Sequence, residues 1–211
     1  YYIWCNNQIN KYEENLWSQN HLKPNFSDRN RYSAYVVQNS QAWRFNCDRG
    51  VTKETLRTMG SARFCPEWFS LNRERIPQIK KCQTDSHKFH LLFFVPDWEY
   101  NVDRDACVSL LERLSRERNV FLRIKANTRG TGSLTAGERA QFENTGNVDF
   151  PGMSDHSPLL IEQSDAVINF ASSIGLEAIL QGKPVCNPLY LNGNQTIFDN
   201  SGIVFDANSE D

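Results

Sequence analysis

The chain has 211 residues, 39% of them hydrophobic and 23% charged, with a formal net charge of -2, which is enough for one ordinary core or two small ones. The near-neutral balance excludes a global attraction to nucleic acid or anionic lipid and leaves room only for a local basic groove. No apolar run approaches the roughly 20 residues that span a bilayer, and the opening YYIWCNNQIN lacks the charged-then-apolar order of a secretion signal. The expectation is a soluble, cytoplasmic protein with at most peripheral membrane association. Cys5, Cys47, Cys65, Cys82, Cys107 and Cys186 are scattered singly, without the paired spacing or histidine cluster of a zinc site, so they read as reduced thiols and no metal is expected.

In chain order, residues 1 to 31 are polar and asparagine-rich, with one helix expected around Lys11 to Trp17. A strand follows in SAYVVQNS, a helix in QAWRFNCDRG closed by Gly50, and a short helix opening at Thr52. MGSARFCPEW then leads into a helix from Pro66 to about Lys81, proline being favoured at the first helical position. From His87 the pattern becomes regular. FHLLFFV has the length of a fully buried strand, and Cys107, Leu110, Leu111 and Leu114 recur at helical spacing behind the N-cap Asp103. NVFLRIKA, NVDF, DAVINF and KPVCN read as further strands, separated by helices in TAGERAQFEN, SPLLIEQ and SIGLEAILQ, with a strand-like GIVF near the end. Such alternation predicts an α/β fold, a Rossmann-like parallel sheet with helices on both faces, in residues 83 to 211; residues 1 to 82 read as the tail of a preceding domain and a connector. Beginning at Tyr1, the chain reads as a piece of a longer protein.

A parallel sheet of this kind binds ligands at the carboxyl ends of its strands. Five segments there carry candidate chemistry. In DAVINFASSIGLEA, Ser172 and Ser173 stand where a helix starts, able to donate hydroxyls to a phosphate beside unpaired backbone N–H groups, while Glu177 suits ribose hydroxyls one unit further on. The same residues also suit plain capping. In RIKANTRGTGS, Lys125 and Arg129 flank a strand end beside glycines, a phosphate clamp or a simple loop. His156 and Ser157 precede a helix and could touch a base or phosphate, or only cap it. Asp97 and Glu99, with Trp98 and Tyr100, follow the first strand of the domain, where a carboxylate could act as base or the group could cover the core. Asn192, Asn194, Gln195 and Thr196 form a polar loop suited to a sugar or to a turn. The glycine fingerprints of dinucleotide and P-loop sites and the nucleophile elbow are absent from the sequence, and its one short acidic alternation, Asp103-Arg104-Asp105, sits where a helix begins and does not read as a metal motif.

SDAVINFASSIGLEAILQGKPV resembles the C-terminal half of GT-B glycosyltransferases, especially bacterial surface and capsular polysaccharide biosynthesis proteins, and more distantly UDP-N-acetylglucosamine 2-epimerases. MGSARFCPEW resembles the connector between the two GT-B domains. The resemblance implies a nucleotide-sugar donor bound by the C-terminal domain, a glycan acceptor bound mainly by an N-terminal domain missing here, and no cofactor or metal. It places Ser172 and Ser173 on the serine pair that binds donor phosphate, Glu177 on the helix glutamate, and Lys125 on the lysine of a Lys-x-His-Pro segment. Asn127 stands in place of that histidine; asparagine can donate to a phosphate but carries no charge, which argues against a CMP donor. With the acceptor half missing, the resemblance implies a fragment that binds a nucleotide without turnover. Two other readings remain open. A nucleotide-sugar epimerase or hydrolase would use Asp97, Glu99 or His156 as its acids or base, and a non-catalytic nucleotide- or glycan-binding module would use none.

Overall fold

The computed structural model describes residues 2–3, 25–75, 88–99, 101–126, 133–170, 172–193, 196, 198 and 201–209. The chain divides into two compact units, Tyr1–Leu71 and Asn72–Asp211. The boundary expected at residue 82 falls outside the described residues, as does the helix expected at Lys11 to Trp17.

In the first unit, strands β1 (Tyr2–Ile3), β2 (Tyr35–Val37) and β3 (Leu56–Thr58) form a parallel sheet in that order. Helix α1 (Ser40–Cys47) starts where the Asn39 side chain accepts from Ala42 N at 2.8 Å, and its Ala42 joins Tyr35, Val37, Val51 and Leu56 in a small core. The helix expected to open at Thr52 is instead a turn, in which the Thr52 and Thr55 hydroxyls meet at 2.9 Å, followed by β3. Hydroxyl side chains that bond locally compete with helix formation. Of β3 only Leu56 is buried, so its apolar signal is one residue long. Helix α2 spans Pro66–Arg75.

The second unit carries β4 (Phe89–Phe94), α3 (Arg104–Ser115), β5 (Val120–Lys125), α4 (Ala136–Glu143), β6 (Val148–Asp149), α5 (Ser157–Glu162), β7 (Ala166–Ile168), α6 (Ile174–Leu180), β8 (Val185–Pro188) and β9 (Phe205–Ala207). All strand pairs are parallel, in the order β6-β5-β4-β7-β8-β9. The chain builds outward from β4 to β6, then returns to β4 and builds the other way, which is the doubly wound Rossmann order. The last strand begins at Phe205, later than GIVF suggests, because Ile203 N bonds Ser201 Oγ at 3.2 Å in a bend that precedes it.

Alternation along the strands sorts the core into two layers. Phe93, Leu122, Ile124, Ile168 and Phe170 pack with Cys107 and Leu111 of α3 and Phe142 of α4. Leu92, Val167 and Val185 pack with Leu160 and Ile161 of α5 and Ile174 and Ala178 of α6. Burial pushes the Cys107 thiol up to about 12 and the Cys186 thiol up to about 11, so both stay protonated at neutral pH.

The segments leaving β4 and β5 are tied together. Asp103 caps α3 by accepting from Ala106 N at 3.0 Å. Thr135 Oγ1 accepts from Glu138 N at 3.2 Å while Glu138 Oε2 accepts from Thr135 N at 2.7 Å, a capping box at the start of α4. Arg104 Nη2 donates to both Glu138 oxygens at 2.7 and 2.8 Å, and Trp98 Nε1 donates to Ser133 O at 3.0 Å. Partial burial alone would raise the Glu138 carboxyl, but the Thr135 N–H and Arg104 outweigh it and hold the group below its ordinary range. A depressed folded pKa stabilises above the unfolded value and is lost as pH falls through the folded one. Glu138→Gln is therefore expected to cost about 1 kcal/mol near neutrality and to flatten the acid limb of the melting midpoint below about pH 4.5. Parallel acid limbs in the two proteins would disprove this role.

Candidate functional site

In a doubly wound sheet the crevice lies where the strand order reverses, outside the carboxyl ends of the two central strands. Here those strands are β4 and β7, so the segment from Val95 to Glu99 leaves on one side and Asn169, Phe170, Ser172 and Ser173 on the other. Phe93 pairs with Ile168 and Phe94 with Lys125. Lys125 and Asn169 thus flank Phe94 in one row, on the α5 and α6 face, two strand spacings or about 10 Å apart.

This row is polar and buried. Lys125 is 3% exposed and Asn169 3% exposed, and Glu177 on α6 and Asn187 at the end of β8 are buried on the same face. Two residues below Lys125 on β5, Arg123 is equally buried but has a carboxylate nearby: its Nη1 donates to Gln163 Oε1 at 2.8 Å, and its Nε, which makes no hydrogen bond, lies 3.7 Å from Asp149. Lys125 differs. Its ammonium donates to the Gly152 carbonyl, and no carboxylate of the described residues lies within ion-pairing distance. Burial pushes its pKa down from the ordinary lysine value, and the more distant charge of Asp155 only partly opposes this. Gly152 itself is held from two sides, since its N–H donates to Asp155 Oδ2 at 2.6 Å and its carbonyl also accepts from Asp155 N at 3.1 Å.

On the β7 side, Ser172 is exposed and Ser173 half-buried. Ser172 Oγ accepts from Ile174 N at 3.4 Å, and Ser173 already has helical φ and ψ without a side-chain cap bond. Ser172 thus makes one long local contact at the helix start, and the Ser173 hydroxyl makes no cap bond. Helix α6 has only 7 residues, so the hydroxyls count for more here than any helix dipole. The Asn169 side chain lies across the first turn: its Nδ2 donates to Ser172 O at 3.0 Å and sits where a Cβ on Gly175 would approach to 2.8 Å. A side chain at position 175 would have to displace that amide.

The other expected residues are dispersed. Asp97 is half-buried, with Oδ1 accepting from Glu99 N at 3.3 Å, and Glu99 is exposed. His156 is an exposed N-cap whose side chain makes no cap bond, and Ser157 opens α5. Asn192 Nδ2 donates to Pro188 O at 2.9 Å, and Thr196 is buried with its hydroxyl accepting from Phe198 N at 3.1 Å. Asn127, Arg129, Tyr100, Asn194 and Gln195 lie outside the described residues. Asn101, at φ 53, and Gly193 tie the loops after β4 and β8: Gly193 N donates to Asn101 O at 2.9 Å, and a Cβ on Gly193 would fall 2.2 Å from Asn101 Nδ2. Among the described residues no cluster of histidine, cysteine and carboxylates could hold a metal, and no helix is long and apolar enough to cross a membrane.

Asn169 was missed by sequence reasoning. Its signal was one polar residue interrupting the apolar run VINF.

The second unit is a Rossmann-like α/β domain with a polar, cation-bearing carboxyl edge. No protein-family model and no curated protein matches the sequence. Solved structures similar to it include the Anabaena protein HepE in complex with UDP-glucose, at 16% identity over 84% of this chain and 49% of that one, with a TM-score of 0.44. Others are KpsC of Thermosulfurimonas dismutans, a beta Kdo 2,4 transferase, at 13% identity over 65% and 46%, TM-score 0.45, and the pneumococcal O-GlcNAc transferase GtfA in complex with UDP and GlcNAc, at 13% identity over 86% and 36%, TM-score 0.48. The chain spans half or less of the length of each.

Proposed function

We propose that the Asn72–Asp211 unit binds the diphosphate of a nucleotide-sugar and is the donor-binding half of a metal-independent glycosyltransferase of surface polysaccharide biosynthesis, acting in the cytoplasm. The observation that carries this reading is Lys125: a buried ammonium at the carboxyl edge of a Rossmann-like sheet, paired with a carbonyl instead of a carboxylate. A buried charge without a counter-ion is costly, and an anion supplied by a ligand removes that cost. The hydroxyls of exposed Ser172 and half-buried Ser173 at the end of the neighbouring segment, and the sequence around them, support the same reading. Glu177, His156 and Ser157 would lie toward the nucleoside, with Arg129 and Asn127 adding donors to the phosphates.

Chemically, the work of such a site is electrostatic. As the bond between sugar and phosphate breaks, negative charge grows on the departing phosphate oxygen; a preorganised ammonium and two hydroxyl donors stabilise it more in the transition state than in the ground state. No covalent step is needed. The acceptor and any base that deprotonates it belong to a preceding domain, so this chain is expected to bind donor nucleotide without turnover.

A thermal-shift screen with UDP, CMP, CDP and GDP tests the reading. One nucleotide, at a hundred times its Kd, should stabilise by about 2.7 kcal/mol, a rise of several degrees. Hydrogen bonds to charged groups contribute about 1.5–3 kcal/mol each, so Ser172→Ala/Ser173→Ala should lose most of the rise. No response to any of the four, in wild type, would reject a nucleotide donor.

A further inference from the structure

The Asn169 amide has one half in use and one half idle. Its Nδ2 is committed to the Ser172 carbonyl at 3.0 Å, whereas its Oδ1 is shielded from solvent and accepts no hydrogen bond. Turning the amide over would set an acceptor against the Ser172 carbonyl, so the carbonyl fixes its orientation. Buried acceptors without a donor are rare, because they lose their hydration and gain nothing in return. This one stands at the end of β7, at the strand-order reversal, in the same row as Lys125 and about 10 Å from it. Gly175 is kept without a side chain so that the amide can lie there, and Phe198 rests against the same patch, 3.7 Å from where a Cβ on Gly175 would stand.

We infer that Asn169 is a ligand-recognising residue whose Oδ1 accepts a hydrogen bond from a ribose hydroxyl of the bound nucleotide. The inference rests on the diphosphate site proposed above. The row then has an order: the phosphate end of the ligand at Lys125 and Ser172–Ser173, the ribose end at Asn169 beside α6. It also makes the site selective for a nucleoside diphosphate over bare pyrophosphate, since pyrophosphate has no ribose hydroxyl to offer Asn169.

The test crosses protein and ligand. The 211-residue chain and its Asn169→Leu variant, near-isosteric and free of the idle acceptor, are titrated with the nucleoside diphosphate that gives the thermal shift, with its 2′,3′-dideoxy analogue, and with inorganic pyrophosphate. In wild type, removing the ribose hydroxyls should weaken binding tenfold or more. In Asn169→Leu, nucleotide and dideoxynucleotide should bind within twofold of each other, and the loss for nucleotide should exceed by fivefold or more whatever loss pyrophosphate shows from the missing Nδ2–Ser172 bond. Equal losses for all three ligands in the variant would mean that Asn169 only props the serine turn, and would overturn the inference. So would a wild type indifferent to the hydroxyls, a measurement that needs no variant and decides the matter if Asn169→Leu fails to fold. Wild type that binds neither nucleotide nor pyrophosphate would instead remove the diphosphate site itself. Binding of both without the hydroxyl coupling removes only the role of Asn169.

Discussion

Lys125→Met is expected to leave the unliganded protein as stable as wild type, or more stable by about 1 kcal/mol, and to abolish the nucleotide-induced rise in melting midpoint. Both halves follow from one circumstance. The ammonium is buried at 3% exposure with a carbonyl for its partner, so folding strips it of water and returns little. Methionine fills much the same volume without a charge to desolvate. The Gly152 carbonyl is not orphaned by the change, because Asp155 N still donates to it at 3.1 Å. A lysine kept only for structure would behave the other way: its loss would destabilise and would leave ligand binding alone. The pH dependence separates the two further. Burial lowers the folded pKa of Lys125, with Asp155 pulling weakly upward, from an ordinary value of 10.5. Below the folded pKa the ammonium is charged in both states and its burial cost is fully present. As pH rises from there toward 10.5, the folded state releases its proton first and the penalty is relieved. Wild type should therefore gain stability relative to Lys125→Met on that approach, while nucleotide binding, which needs the charged form, weakens. Midpoints measured for both proteins from pH 7 upward, with and without nucleotide, decide it. A Met variant that keeps the nucleotide shift would end the proposal for this residue.

The regular half of the chain was legible because its signals are long. FHLLFFV is apolar apart from His90, and NVFLRIKA carries the run VFL ahead of Arg123, Ile124 and Lys125, a density that suits strands covered on both faces, and β4 and β5 emerge with six residues each. Asp103 and the Thr135 capping box announce helices in the few residues that satisfy the first N–H groups. β3 was not legible, since one buried leucine behind two threonines carries no period, and its strand state comes from pairing with β2. The site was legible by position and not by partner. Alternating strands and helices say that Ser172, Ser173 and Lys125 stand at carboxyl ends, but not that β5 and β7 both neighbour β4, which is what sets Lys125 and Asn169 in one row. Nor can sequence say that Arg123 finds Asp149 and Gln163 while Lys125, two residues on, finds a carbonyl. Glu177 illustrates the same limit: a glutamate in a first helical turn reads as a surface residue, yet the sheet covers it.

Phe93→Ala is expected to cost about 3–5 kcal/mol, a fall of roughly 10 °C in the melting midpoint of the second unit, whereas Phe89→Ala on the same strand should stay within about 0.5 kcal/mol. Phe93 has no exposed surface and Phe89 is 48% exposed, so the first leaves a cavity and the second does not. The effect should reach the site. Phe93 meets Phe170 edge-on, with ring centroids 5.4 Å apart, across the two central strands whose ends bound the crevice. Phe170 is two residues before Ser172. Removing the Phe93 ring takes away the packing that fixes where β7 delivers its serines, so the nucleotide affinity of Phe93→Ala should fall at a temperature well below its own midpoint, with Phe89→Ala unchanged. Phe93→Leu, which keeps the position apolar and loses less volume, should recover most of the stability and part of the affinity. Equal costs for Phe89→Ala and Phe93→Ala would mean that the strand does not face the core as described. A destabilised Phe93→Ala with wild-type nucleotide affinity would mean that the serine turn is positioned from the α6 side alone, by Asn169 and Gly175.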